Sequence, residues 1–202
     1  MTSQVVPIAL GFVLTTIIGG VFASFLQQRA WRHQNAERLR QEDLGRASDV
    51  CRTTSALVDK RAYRMQRLLW SVTGYAEGRV ALELLESRLV EYDSTLVEWN
   101  DELNSRLAVV GAYFGRDIRD FVDTTVYPAF AQAGGRLELL VRAARTGAEH
   151  LDSDEIAAAR AELVALNSAA YRLGFAMMVR IRQGRVGRHA VGLLDEIDLN
   201  AG

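Results

Sequence analysis

The sequence predicts an all-α protein in which a single N-terminal transmembrane helix precedes an antiparallel up-down four-helix bundle of long helices. Three observations carry this. An uncharged stretch runs from Val5 to Leu26. The 202 residues include only 2 prolines and are rich in Ala, Leu, Arg and Glu, which is the composition of long helices rather than of a many-turned β-fold. Beyond residue 42, apolar side chains recur at 3-4 spacing in four segments joined by short glycine-bearing or acidic breaks.

Residues 1–4 form a short flank. The span 5–26 that follows has a helical length of about 33 Å, against about 30 Å for a hydrocarbon core. A cleaved signal peptide would need a basic n-region, and Met1 to Gln4 holds neither Lys nor Arg. An uncleaved anchor is therefore expected. Arg29, Arg32, Arg38 and Arg40 lie just after the span, so its C-terminal side should face the cytoplasm and its N-terminus the outside of the cell (inner) membrane. Arg29, Trp31 and Arg32 are the expected interface anchors, the indole favouring the headgroup level. Within the span Gly11, Thr15, Gly19 and Ala23 recur every four residues, with Gly20 and Ser24 on an adjacent ridge. Small residues at this spacing let membrane helices approach closely, so a homo-oligomer is expected.

Residues 27–42 read as a basic juxtamembrane linker helix and 43–184 as the bundle. Its first segment, about Leu44 to Val72, places Leu44, Ala47, Cys51, Thr54, Val58, Met65, Leu68 and Val72 on one coiled-coil seam, with Arg61 at a seam position. The second, about Val80 to Tyr113, keeps Leu82, Leu85, Leu89, Tyr92, Leu96, Trp99 and Leu103 in register. It then shifts by one residue through Leu107, Val110 and Phe114, a stutter. The third, about Asp117 to Arg145, should kink or break where Pro128 deletes a donor and Gly134 and Gly135 weaken the helix. The fourth, about Ser153 to Gln183, carries Ile156, Ala159, Leu163, Leu166, Ala170, Leu173 and Met177, with Asp152 and Glu155 as a capping-box-like start. Residues 185–202 form a tail, in which Leu193, Leu194, Ile197 and Leu199 stand among acids.

Short breaks join antiparallel neighbours, and helices of about 30 residues make a bundle about 45 Å long. Parity then puts Arg116, Arg119, Arg180, Arg182, Arg185 and Arg188 at the membrane-proximal end. Glu149, Asp152, Asp154 and Glu155 fall at the distal end, a polarity that suits an anionic leaflet.

The net charge of -1 argues against a chain built to coat nucleic acid, and no nucleic-acid partner is expected. Arginine dominates the bases, Lys60 being the sole lysine, as a GC-rich bacterial genome would give. Cys51 stands alone, which excludes an intrachain disulfide or a thiolate cluster and suggests a small core residue. Di-metal bundle sites use Glu-x-x-His pairs, but Ala30, Gly147 and Val186 precede His33, His150 and His189 by three residues. Neither a metal nor a cofactor is expected. Phosphate-loop, dinucleotide and nucleophile-elbow motifs are also missing, so no catalytic residue is assigned. The densest unusual cluster is the basic-aromatic run of Lys60, Arg61, Tyr63, Arg64, Arg67 and Trp70, a candidate surface for a protein partner or an anionic ligand. Folding the first two helices together should bring Arg61 near Tyr92 and Asp93. The sequence thus points to a non-enzymatic, membrane-tethered scaffold or adaptor whose partners are the lipid bilayer, copies of itself and an unidentified protein. A sensor that binds an anionic ligand through the Lys60 to Trp70 helix is the alternative.

Overall fold

The computed structural model describes the backbone of residues 5–146 and 151–190, and the side chains of residue 20, 22–146 and 151–190. Among these residues every regular element is helical: α1 (Val5–Ala76), α2 (Leu82–Phe114), α3 (Arg116–Phe121), a π-helical turn (Val122–Val126), α4 (Tyr127–Arg145), α5 (Ser153–Gln183) and a 3-10 turn (Gly187–His189). The chain divides into two compact units, Met1–Glu42 and Asp43–Gly202.

In the first unit Phe22, Phe25, Leu26 and Trp31 are exposed. Among the described residues no helix is long and apolar enough to cross a membrane. Most of the span expected at 5–26 has side chains outside the described residues, Gly11, Thr15 and Gly19 included.

The second unit is a helical bundle in which neighbouring helices run antiparallel. Lys60 and Arg64 of α1 meet Glu98 and Glu91 of α2, so ascending numbers on one helix match descending numbers on the other. Trp99 and Glu86 of α2 meet Phe130 and Arg145 of α4 in the same sense. Gln132 and Arg136 of α4 meet Glu162 and Glu155 of α5, while Gly174 faces Ser55 and Gly187 faces Asp43 of α1, which closes the ring.

The seam read from the first segment is the core. Ala47, Cys51, Thr54, Val58, Met65, Leu68 and Val72 are all buried. From the second segment Leu85, Tyr92, Trp99, Val110 and Phe114 are buried and Leu89, Leu96, Leu103 and Leu107 pack against them, whereas Leu82, the first residue of α2, is exposed. Burying each large apolar side chain contributes about 1.5–3 kcal/mol.

The third segment departs from expectation. It neither breaks at Pro128 nor ends at the paired glycines, because Val122, Val126 and Tyr127 all keep right-handed helical dihedrals. The Tyr127 N–H bonds to the Val122 carbonyl, five residues back, so one wide turn sits directly before the proline. The physical reason lies in the spacing of the core. Ile118, Val122, Val126 and Phe130 are buried at successive intervals of four, and on an α-helix each such step drifts about 40° around the axis. A single π turn takes up the extra residue and returns the apolar row to the core.

Helix ends follow local chemistry. The Asp152 carboxylate accepts from the Asp154 N–H at 2.8 Å, while Glu155 turns away from its expected capping role to pair with Arg136. α5 stops at Gly184, which takes a left-handed φ of 66°, and Arg185 N–H bonds back to Arg180 O, a Schellman stop. The next residues fold against the bundle: Val186 is buried, and the Arg188 N–H donates to the buried Asp43 carboxylate. The rest of the tail, from Val191, lies outside the described residues, as do Glu149 and His150.

Gly134 marks a close approach of α4 to α2. A Cβ there would stand 2.8 Å from the Tyr92 hydroxyl, whereas one on Gly135 meets nothing within 4 Å. Gly134→Ala should destabilise the protein by about 1–3 kcal/mol through overpacking. Gly135→Ala should instead add up to about 1 kcal/mol through helix propensity. Urea melts of the two variants followed by circular dichroism check this, and equal effects would contradict the close approach.

Candidate functional site

The basic-aromatic run lies on α1, where one helical face carries Lys60, Tyr63, Arg64, Arg67 and Trp70. Tyr63 and Trp70 are more than half exposed, and the Arg67 guanidinium sits 5.6 Å from the centre of the Tyr63 ring. Lys60, Arg64 and Arg67 are each engaged by an acid of α2. Lys60 pairs with Glu98, and Glu91 gathers Arg64, Arg67 at 3.4 Å and, from α2 itself, Arg88 at 2.6 Å. These pairs are only partly buried, so each contributes at most about 1 kcal/mol, and two carboxylates share the donors of all four cations.

Arg61 does not belong to that surface. It is 4% exposed, and its guanidinium carbon lies 4.5 Å from the Phe130 ring centre and 5.1 Å from that of Trp99. The two rings are themselves 5.0 Å apart and inclined at 48°. Trp99 comes from α2 and Phe130 from α4, so three helices meet around one cation. Tyr92, 1% exposed, sets its hydroxyl beside the guanidinium and favours its charged form, whereas Arg61 Nε and Nη1 have no hydrogen-bond partner. Asp93, the other expected partner, is exposed and turns outward. The charge is thus held by ring faces and a phenol rather than by a carboxylate.

Burial has the expected consequences for titration. Desolvation lowers the Arg61 pKa, with the nearby Tyr92 and Tyr127 oxygens opposing it. Desolvation likewise raises the Tyr92 pKa, against the pull of Arg61. Cys51 behaves as a core thiol: it is buried, and desolvation lifts its pKa although a hydrogen bond with Ser55 works the other way.

Surface depressions open between helices of the bundle. One, about 490 Å³, lies between α4 and α5 and is lined by Arg136, Leu139, Leu140, Leu151 and Glu155 among others. Its cation is already engaged, because Arg136 bonds to Glu162 at 2.9 Å and to Glu155. The second, about 240 Å³, lies between α1 and α2 beside Val50, Thr53, Glu102 and Arg106, and there too Arg106 Nε donates to Glu102 at 2.7 Å. Among the described residues no group of His, Cys, Asp and Glu has the arrangement to hold a metal ion. Of the remaining expected site residues, Arg29, Trp31 and Arg32 are exposed on α1, as are Gly20, Ala23 and Ser24.

No protein-family model matches the chain, and no curated protein or solved structure matches it. Its own residues therefore carry the functional reading.

What the sequence missed is the cage around Arg61. Its signal was present: a lone arginine at a seam position that, across an antiparallel pair, falls level with an aromatic seam residue.

Truncation and isosteric replacement should separate the parts played by Arg61. Arg61→Ala leaves a cavity between two rings and should cost about 2–5 kcal/mol. Arg61→Met fills the volume without a charge to desolvate and should be neutral or stabilising by up to about 4 kcal/mol. Chemical denaturation of both variants checks this, and a Met variant as weak as the Ala variant would show that the charge itself is needed.

The raised Tyr92 pKa also fixes a sign. The native state holds the phenolic proton after the unfolded chain has released it, so this contribution is complete below the ordinary tyrosine value and is lost as pH rises above it. Wild-type stability should therefore fall more steeply than that of Tyr92→Phe above about pH 10, the ordinary tyrosine value, as measured by urea melts across that range.

Proposed function

We propose that this protein is a non-enzymatic, single-pass membrane protein whose helical bundle serves as a scaffold in a membrane-associated, oligomeric assembly. The observation that carries the reading is the uncharged run from Val5 to Leu26, helical within α1 and followed by Trp31 and the arginines at 29, 32, 38 and 40. An α-helix is one of the two backbone forms that satisfy every N–H and C=O inside a bilayer. The flanking bases support a bundle on the cytoplasmic side of the inner membrane. Gly20, Ala23 and Ser24 support association between anchors, since they are exposed and a Cβ on Gly20 would meet nothing within 4 Å. Exposed apolar side chains on the bundle, among them Trp70, Val90, Val97, Tyr171 and Phe175, support contacts beyond the anchor. The ion pairs that occupy Lys60, Arg64 and Arg67 favour a protein-facing role for that helix over capture of a free anion.

The test is membrane fractionation of the full chain with alkaline carbonate, combined with Ser3→Cys labelling by an impermeant maleimide in intact cells. The chain should stay in the pellet and Cys at position 3 should label from outside. Release by carbonate would rule out the anchor, and labelling only after lysis would reverse the orientation. Gly19→Leu should weaken association between anchors without releasing the chain.

A further inference from the structure

α5 is apolar on two opposite sides. Leu163, Leu166, Leu173 and Met177 enter the core, yet Ala161, Val164, Ser168, Tyr171, Phe175 and Met178 all face outward at strict 3-4 spacing. Val164 is 61% exposed, Tyr171 73%, Phe175 60% and Met178 58%. No charged residue interrupts this stripe from Ala157 to Met178, and its one hydroxyl is already used, since Ser168 Oγ donates to the Val164 carbonyl at 3.0 Å. Tyr171 and Phe175 stack with ring centres 6.2 Å apart and planes inclined at 16°, a preformed aromatic platform. Other outer faces of the bundle are mixed, with Lys60, Tyr63 and Trp70 on α1 and Val90 and Asp93 on α2. Such a stripe is a coiled-coil seam without a second helix.

We propose that the occupant is a second copy of the same stripe, packed antiparallel about a two-fold axis that crosses α5 between Ser168 and Tyr171. Size and charge both select this arrangement. The N-terminal half of the stripe is small and the C-terminal half large. Antiparallel layers set Ala161 against Met178, Val164 against Phe175 and Ser168 against Tyr171 of the second copy, so every layer joins a small residue to a large one. Extending the same register puts Ala157 opposite exposed Arg182 and carries exposed Asp154 past the point where the second copy's α5 ends at Gly184. The flanking arginines, Arg160 and Arg172, then meet Ile181 and Ala165 rather than a like charge. Parallel pairing does the reverse: it stacks Asp154 on Asp154 and Arg182 on Arg182, and it puts large residues on large and small on small. Like-charge juxtaposition of that kind counts against a register. The contact is isologous, as a two-fold dimer requires.

This inference deepens the scaffold reading by naming a partner for the bundle. It places the two Asp43 residues, where each bundle begins, at opposite ends of the pair. The α5 contact therefore links copies differently from the small-residue ridges of the anchor, which would pair side by side.

The experiment uses the full chain, solubilised in detergent with Cys51→Ala, and reads mass by light scattering and disulfide cross-linking under mild oxidation. The wild-type chain should have the mass of at least two 22.4 kDa chains. Phe175→Glu should weaken association through α5 roughly 30-fold or more, as loss of a central aromatic anchor does. It should do so with unchanged helicity, because Phe175 is outside the core. Val164→Cys and Phe175→Cys should each remain uncross-linked alone, while the double variant forms a covalent dimer. Cross-linking by either single variant would show a parallel pair and overturn the register. A strict monomer would overturn the contact, whether the stripe is covered by residues 191–202 of the same chain or by another protein. So would an oligomer that responds to Gly19→Leu but ignores Phe175→Glu. A monomer that nevertheless resists carbonate extraction removes the α5 contact and leaves the anchor standing. A carbonate-soluble chain that cross-links only as the double variant does the opposite.

Discussion

A single buried guanidinium sets the terms for the bundle. Arg61 enters from α1 and is enclosed by Trp99 of α2, Phe130 of α4 and the hydroxyl of Tyr92. Removing such a charge from water costs several kcal/mol, and a desolvated ring face returns about 2 kcal/mol. The arrangement is therefore a poor source of net stability and a strict source of register. A slip of one helical turn in any of the three helices would leave the cation facing aliphatic side chains with nothing to receive it. The apolar layers above and below tolerate such a slip far better, because Leu and Val pack acceptably against one another at many heights.

Other features of the interior follow from holding that level. Tyr92 can reach the guanidinium only because α4 offers no side chain at Gly134, where a Cβ would collide with the phenol. Phe130 stands where it does because the π turn at Val122–Val126 shifts the helical phase just upstream. Pro128, which has no N–H to donate, falls beside the place where the α-helical bonding pattern is already interrupted. The glycine and the proline, which read as weaknesses of the third helix, are the local conditions under which it keeps its place in the bundle.

The surface obeys a different logic. Charged residues on α1 and α4 are matched across helix seams, Glu91 and Glu98 to the cations of α1 and Glu155 and Glu162 to Arg136. Such pairs orient neighbours and occupy the donors that a small anion would need. The outer stripe of α5 has no such matching and no charge to match. A helix with apolar character on opposite sides offers a second packing face, and the taper from small to large residues is what suits the proposed copy turned end for end.

The sequence by itself determined that the described chain is helical, where α2 and α5 start and stop to within a few residues, and most of the core, whereas the expected start at Leu44 lies inside the continuous α1. It could do so because 3-4 periodicity, an Asp at a helix start and a Gly at a helix end are local properties, written within one turn of the residues they govern. The spacing by fours at Ile118, Val122, Val126 and Phe130 is local too, and so is the π turn that accommodates it. Only tertiary structure decided how Arg61 is satisfied. Two carboxylic or phenolic partners lay side by side in sequence at Tyr92 and Asp93, and the choice between them turned on which face of α2 points inward. The aromatic cage required Phe130 from a third helix, whose height relative to α1 depends on a phase shift and on the space left at Gly134. Periodicity along one helix contains no information about that height, because it arises from the summed packing of all the helices that meet there.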